Sequence, residues 1–264
     1  MVKYYKLDKI FEQGTTYEMP NDRFYVIEAI GTDATSATYL KIDGVDTGAI
    51  ISTIAPLHKT SSNILGPLKL GQLYYVVPPN KTFTVEGPSG AKVRCIGKIG
   101  VLAPGEAIPG NFASRFAEQG DHYLTYDTDT YSISGSGTWT AGTEYEVYSL
   151  TPKTIETYKF NNFAGVSISG FTVSEGQVGI IFHLDGTPLD ILTTDPGKKG
   201  IDALSMPLPP ASDTERIPFT LADLPIEVLG DHTIKVTAMN VSGSDISFTD
   251  LSITFTAVVE YLKK

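Results

Sequence analysis

The feature that most constrains this chain is a long series of short apolar segments, many alternating at period two, separated by glycine, proline, asparagine and aspartate. FYVIEAI (24–30), ATYLKIDG (37–44), LYYVVPP (73–79), KTFTVEG (81–87) and AKVRCIGKIGVL (91–102) are rich in β-branched and aromatic residues, which suit a pleated, half-buried surface. A second series comprises HYLTYDTDTYSI (122–133), TEYEVYSL (143–150), TIETYKF (154–160), GVSIS (165–169), VGIIFHLDG (178–186), PLDILTT (188–194), HTIKVTAM (232–239) and ISFTDLSITFTAVV (246–259). Helical periodicity is almost absent. The pattern predicts an all-β chain of antiparallel sandwiches and argues against a parallel α/β sheet.

Between the two series lies APGEAIPGNFASRFAEQGD (103–121), where Pro-Gly breakers precede a stretch able to form a helical turn or two over 111–119. At 264 residues the chain has room for two cores. The expected organisation is an N-terminal sandwich (1–102) serving anchoring or assembly, a linker (103–121), and a C-terminal sandwich (122–264).

The halves resemble one another. Leu40-Lys41-Ile42-Asp43-Gly44 and Phe182-His183-Leu184-Asp185-Gly186 both close an apolar strand on an Asp-Gly turn. Val77-Pro78-Pro79-Asn80-Lys81-Thr82-Phe83-Thr84-Val85 aligns without a gap on Val228-Leu229-Gly230-Asp231-His232-Thr233-Ile234-Lys235-Val236. Ser89-Gly90 then matches Ser242-Gly243. Three matches in one order point to a shared architecture and to an internal duplication. The plainer account is that antiparallel hairpins commonly share Ser-Gly turns and alternating strands.

The run LGDHTIKVTAMNVSGSDISFTDLSITFTA (229–257), with its Gly, its His-Thr-Ile strand and the acidic Asp250, resembles the closing strands of galactose-binding-like jelly rolls. GVSISGFTVSEGQVGIIFHLDGTPL (165–189) is similar to that family's paired strands, so the resemblance covers roughly 144–257. It implies two tandem jelly-roll-like sandwiches of the kind found in carbohydrate-binding modules and in viral or phage attachment and capsid-associated proteins. ILGPLKLGQLYYVVPPNKTFTVEGPSGAKVRCIG (64–97) resembles modules of viral and phage surface proteins. A sandwich of this kind hosts many functions, so the resemblance speaks to fold before role.

Charge narrows the partners. A formal net charge of −10 opposes the phosphate neutralisation on which nucleic-acid affinity rests, so no direct nucleic-acid binding is expected. No segment approaches the roughly 18 apolar residues of a membrane span. Lys6, Asp8, Lys9 and Glu12 interrupt what would be a secretory leader's apolar region, which predicts assembly in the cytoplasm. The single cysteine, Cys95, falls in an alternating strand and reads as a small buried hydrophobe.

The usual catalytic signatures are missing. His58, His122, His183 and His232 lack HExxH spacing, and neither a GxSxG elbow nor a phosphate-binding GxxxxGK[ST] occurs. The remaining candidate is YDTDTY (126–131). Asp127 and Asp129, two apart on a strand, would share a face and could take calcium with other oxygen ligands, or simply form an exposed acidic surface. Tyr126, Tyr131 and Trp139 lie close by in sequence, and aromatic faces stack on sugar rings; the same residues also serve as ordinary core. Tyr126, Asp127, Asp129, Tyr131 and Trp139 therefore form the candidate ligand-binding set. No catalytic residue, no resident metal and no cofactor beyond that calcium are expected.

Two function classes follow. One is a non-enzymatic virion structural or attachment protein, displayed on the virion exterior, that self-associates, contacts other virion proteins and could hold a host-surface glycan. The other is a secreted carbohydrate-binding module or adhesin. An enzyme ranks third, because paired carboxylates for glycoside hydrolysis are a spatial feature that sequence does not exclude.

Overall fold

The computed structural model describes residues 1–58, 66–160, 164–189, 200–206 and 225–264. The chain divides into two compact units, Met1–Tyr126 and Asp127–Lys264, and its four antiparallel sheets form sandwiches. The first unit contains β1 (Lys3–Glu12), β2 (Thr16–Glu18), β3 (Arg23–Thr32), β4 (Thr38–Ile42), β5 (Val45–Ile50), β6 (Leu68–Lys69), β7 (Tyr75–Val77), β8 (Thr82–Glu86) and β9 (Lys92–Val101). One sheet has the order β1-β9-β3-β6, with β7 also on β3; the other runs β2-β8-β4-β5.

The second unit is entered along β10 (His122–Trp139) and adds β11 (Glu144–Leu150), β12 (Glu156–Phe160), β13 (Ala164–Ser169), β14 (Val178–Leu184), β15 (Thr187–Pro188), β16 (Ile201–Asp202), β17 (Ile226–Leu229), β18 (Ile234–Asn240) and β19 (Ile246–Lys263). Its sheets are β10-β19-β12-β17, with β13 also on β19, and β11-β18-β14-β15, with β16 on β14. The expected strand over 188–194 lies outside the described residues beyond Leu189.

Each unit thus pairs its first strand with its last and its second with its last but one. The likeness extends to register. In the first unit Leu40 faces Val85 and Ile42 faces Phe83; in the second Phe182 faces Val236 and Leu184 faces Ile234. Sequence segments matched separately are therefore partner strands with the same residues opposed.

The turns repeat as well. Asp43 and Gly44 have φ 52° and 79°, Asp185 and Gly186 have φ 50° and 79°, which is the two-residue positive-φ hairpin turn that suits Asp-Gly. Asp43 N–H donates to Thr82 O at 2.8 Å and Asp185 N–H to Thr233 O at 2.8 Å. Each aspartate then pairs with the basic residue that follows Asn80 or Asp231: Lys81 Nζ lies 2.7 Å from Asp43 Oδ2, and His232 Nδ1 2.6 Å from Asp185 Oδ2. One difference is that β6 joins β3 whereas β16 joins β14.

Alternation buries one face of each strand. In the first unit Phe11, Tyr17, Tyr25 and Phe83 form an aromatic knot, with Phe11 4.7 Å and Tyr17 5.1 Å from the Phe83 ring. In the second, Tyr148, Phe160, Phe182, Val236 and Phe255 fill the core. Each such side chain contributes about 1.5–3 kcal/mol of burial. Cys95 is fully buried, and burial pushes its thiol well above the ordinary range, as a packing role requires.

The segment 103–121, expected as a linker, belongs to the first unit. Helix α1 (Gly110–Glu118) forms where the expected turns lie, and Arg115, with Gln119 at its C-terminal cap, is buried while Asn111, Ser114 and Glu118 are exposed. Arg115 donates to the carbonyls of Tyr74 (2.8 Å), Leu73 (3.2 Å) and His122 (2.7 Å). Gln119, one turn on, accepts from Val76 N–H at 2.7 Å and donates to Val76 O at 3.0 Å. Gln119 thus occupies the backbone groups of Val76 that the ladder of β7 with β3 leaves over, while Arg115 takes carbonyls just before β7 and at the start of β10. Phe112 packs on Phe24 and Tyr74. The unit boundary falls instead between Tyr126 and Asp127, inside β10.

Among the described residues no helix is long and apolar enough to cross a membrane.

Candidate functional site

All five candidate residues sit on β10, yet they do not form one cluster. Tyr126 is the last residue of the first unit and is partly buried. The other four belong to the second unit, where β10 runs beside β19 and alternation divides its side chains between two environments.

On one face Thr128 Oγ1 donates to Phe255 O at 2.9 Å and meets Thr256 Oγ1 at 2.7 Å, and Thr130 Oγ1 meets Thr254 Oγ1 at 2.9 Å. This threonine ladder stitches β10 to β19. On the other face Asp127 is half-buried, and Tyr148 OH donates to its Oδ2 at 2.8 Å while Thr128 N–H donates to Oδ1 at 3.0 Å. Desolvation raises the Asp127 carboxyl above the ordinary range; the Tyr148 and Thr128 bonds pull the other way, and the nearby Asp129 charge adds to the rise. Burial, with the Asp127 charge, pushes the Tyr148 phenol far up, so it stays a donor. Asp129 is exposed and accepts Thr130 N–H at 2.8 Å.

Trp139 requires a correction. It is fully buried, its indole N–H donates to Thr143 O at 2.9 Å, and its ring lies 5.0 Å from Tyr145 and 6.2 Å from Phe171. Its faces are occupied by core partners, so it offers no platform to a ligand. Tyr131 is partly exposed and stacks on Tyr145 at 4.7 Å with 16° between planes, which leaves one ring face at most. Among the described residues no group of three or more His, Cys, Asp or Glu side chains could hold a metal ion.

The sequence reading missed a polar cluster on β14, β18 and β11. His183 Nε2 lies 3.0 Å from Thr237 Oγ1 and 3.5 Å from a Glu144 carboxylate oxygen, while Thr237 Oγ1 donates to Glu144 at 3.1 Å. A hydroxyl, an imidazole and a carboxylate thus meet. In a relay the acid and the hydroxyl engage opposite ring nitrogens, whereas here both reach Nε2. The arrangement is a cross-strand polar triplet, and only strand pairing brings it together.

No protein-family model and no curated protein matches the chain. Among solved structures, the extracellular domain of ANXUR2 from Arabidopsis thaliana is similar at 9% identity, over 94% of this chain and 83% of that one, with a TM-score of 0.28. VP54 of PBCV-1, fitted into a reconstruction of the virophage Sputnik, is similar at 10% identity, over 100% and 95%, with a TM-score of 0.32. Likeness at this level carries no functional inference.

Proposed function

We propose that the chain is a non-enzymatic structural or attachment component of a virion, built from two jelly rolls in tandem. One observation carries the reading: both units pair first strand with last and second with last but one, in two strand orders of four that repeat down to residue register. That interleaving is the order of a jelly roll, an architecture shared by viral capsid and lectin domains. Doubling it within one chain gives two such sandwiches, each with a long edge strand, β1 in the first and β10 in the second, which suits a component of a shell. The acidic balance of the chain fits an exterior position, away from packaged nucleic acid. Assembly takes place in the cytoplasm, with copies of itself and other virion proteins as partners. A host-surface glycan meets Asp129, the exposed member of the second unit's set, and the partly exposed Tyr131 beside it.

The test is mass spectrometry and immunogold labelling of nuclease-treated, density-banded particles. The chain is expected in structural quantity, labelled on the outside. Its absence from the particles overturns the reading. Recovery of particle-free chain from the medium, retained on a glycan array, would instead establish the carbohydrate-binding module.

A further inference from the structure

Strand β1 is hydrogen-bonded on one side only, to β9, in an uninterrupted register from Lys3↔Val101 to Glu12↔Lys92. Among the described residues no strand lies along its other edge. Along this ten-residue strand Tyr4, Tyr5 and Ile10 are 48%, 57% and 45% exposed, an unusual apolar content for a free edge.

The direction of its backbone groups is fixed by two bonds. Gln13 N–H donates inward to Ala91 O at 2.8 Å, whereas Glu12 N–H turns away and donates to Tyr17 OH at 3.1 Å. Alternation then gives the outward-facing N–H and C=O groups to the even-numbered residues Tyr4, Lys6, Asp8 and Ile10.

We propose that this edge is a homodimer interface, in which β1 of two copies pairs antiparallel about a two-fold axis at Leu7. The inference stands on the edge alone and does not rest on the virion reading. Outward groups bond only to outward groups, so even residues oppose even residues and the axis must pass through a residue. Centred on Lys6, Asp8 or Lys9, the junction would set a charge against its own copy. Centred on Leu7, it sets Lys6 against the second copy's Asp8 and Tyr4 against the second copy's Ile10, each twice.

Lysine on an edge normally discourages strand addition. Here the neutralising carboxylate lies on the same strand two residues on, 3.8 Å from Lys6 Nζ within one copy, and a two-fold axis at Leu7 sets it opposite the second copy's Lys6 as well. Asp8 is already oriented, with Arg94 Nε at 2.8 Å from Oδ1 and Nη2 at 3.0 Å from Oδ2. Charge complementarity therefore selects a second copy as occupant and selects its register, and an isologous contact of this kind closes as a dimer.

Sedimentation equilibrium is expected to show a dimer for the wild-type chain. Lys6→Glu places two carboxylates in opposition and should raise the dissociation constant by about tenfold or more. Lys6→Pro removes an outward N–H and no bond to β9, so it should leave the circular dichroism spectrum intact and abolish the dimer. The double variant Tyr4→Cys/Ile10→Cys should form an intermolecular disulfide on mild oxidation, because bonded antiparallel pairs lie about 5.5 Å apart at Cα; the buried Cys95 stays unreacted. A strict monomer at the highest soluble concentration overturns the proposal. So does a dimer that both Lys6 variants leave unchanged, or one that fails to cross-link through positions 4 and 10.

Discussion

Asp127 and Asp185 respond to their surroundings in opposite senses. The His232 hydrogen bond, with the Thr233 N–H behind it, holds the exposed Asp185 carboxyl below its ordinary value. A carboxylate depressed in the native state adds stability above its unfolded pKa and loses it as pH falls through the native one. Asp185→Asn should therefore lower the melting temperature slightly at pH 7, with the gap to wild type closing in acid. Asp127 is raised, chiefly by desolvation, so the folded chain holds its proton to higher pH than the unfolded chain and the ionised form opposes folding. Asp127→Asn, which keeps an acceptor for Tyr148, should raise stability at pH 7, and that advantage should shrink as pH drops below the native pKa. Urea titrations of both variants at pH 7 and in the acid range check the two signs together. An Asp127→Asn variant less stable than wild type at neutral pH contradicts the desolvation account.

The second scale concerns helix α1 and strand β10. Arg115 satisfies three carbonyls from inside the first unit, so Arg115→Met should cost about 2–4 kcal/mol by leaving them buried without a donor. Denaturant unfolding gives the value; a loss below about 0.5 kcal/mol, the usual range of surface substitutions, would show the helix to be a loosely attached connector. Limited proteolysis should likewise spare Gly110–Glu118, and early cleavage inside it would count the same way. On β10 the outcome for Trp139 follows from its burial: Trp139→Ala should remove about 3–5 kcal/mol of stability. A triple substitution of Tyr126, Tyr131 and Trp139 therefore reports on folding before it reports on ligand contact.

At the scale of the molecule, the two units share a strand plan and have separate cores, which predicts two calorimetric transitions. Trp139→Ala should shift one of them downward and leave the other in place. A single transition that moves as a whole would mean that the units unfold as one cooperative body.

Period-two alternation and turn chemistry were enough to determine the all-β class, most long strands and both Asp-Gly hairpins, because these depend on neighbours within a few residues. The matched segments of the two halves were legible for the same reason. Strand β1 was not, since an edge strand needs few inward side chains: only Leu7 and Phe11 are buried along it, four apart, a spacing that fits a helix face and a strand face equally. The tertiary structure alone decided that Asp43 meets Lys81 and Asp185 meets His232, since each pair joins strands adjacent in space and distant in sequence. It also decided that Trp139 is core and Tyr131 is not. Both lie on β10 among polar neighbours, and which of them is covered depends on what packs against that strand, a long-range property that no local pattern of residues encodes.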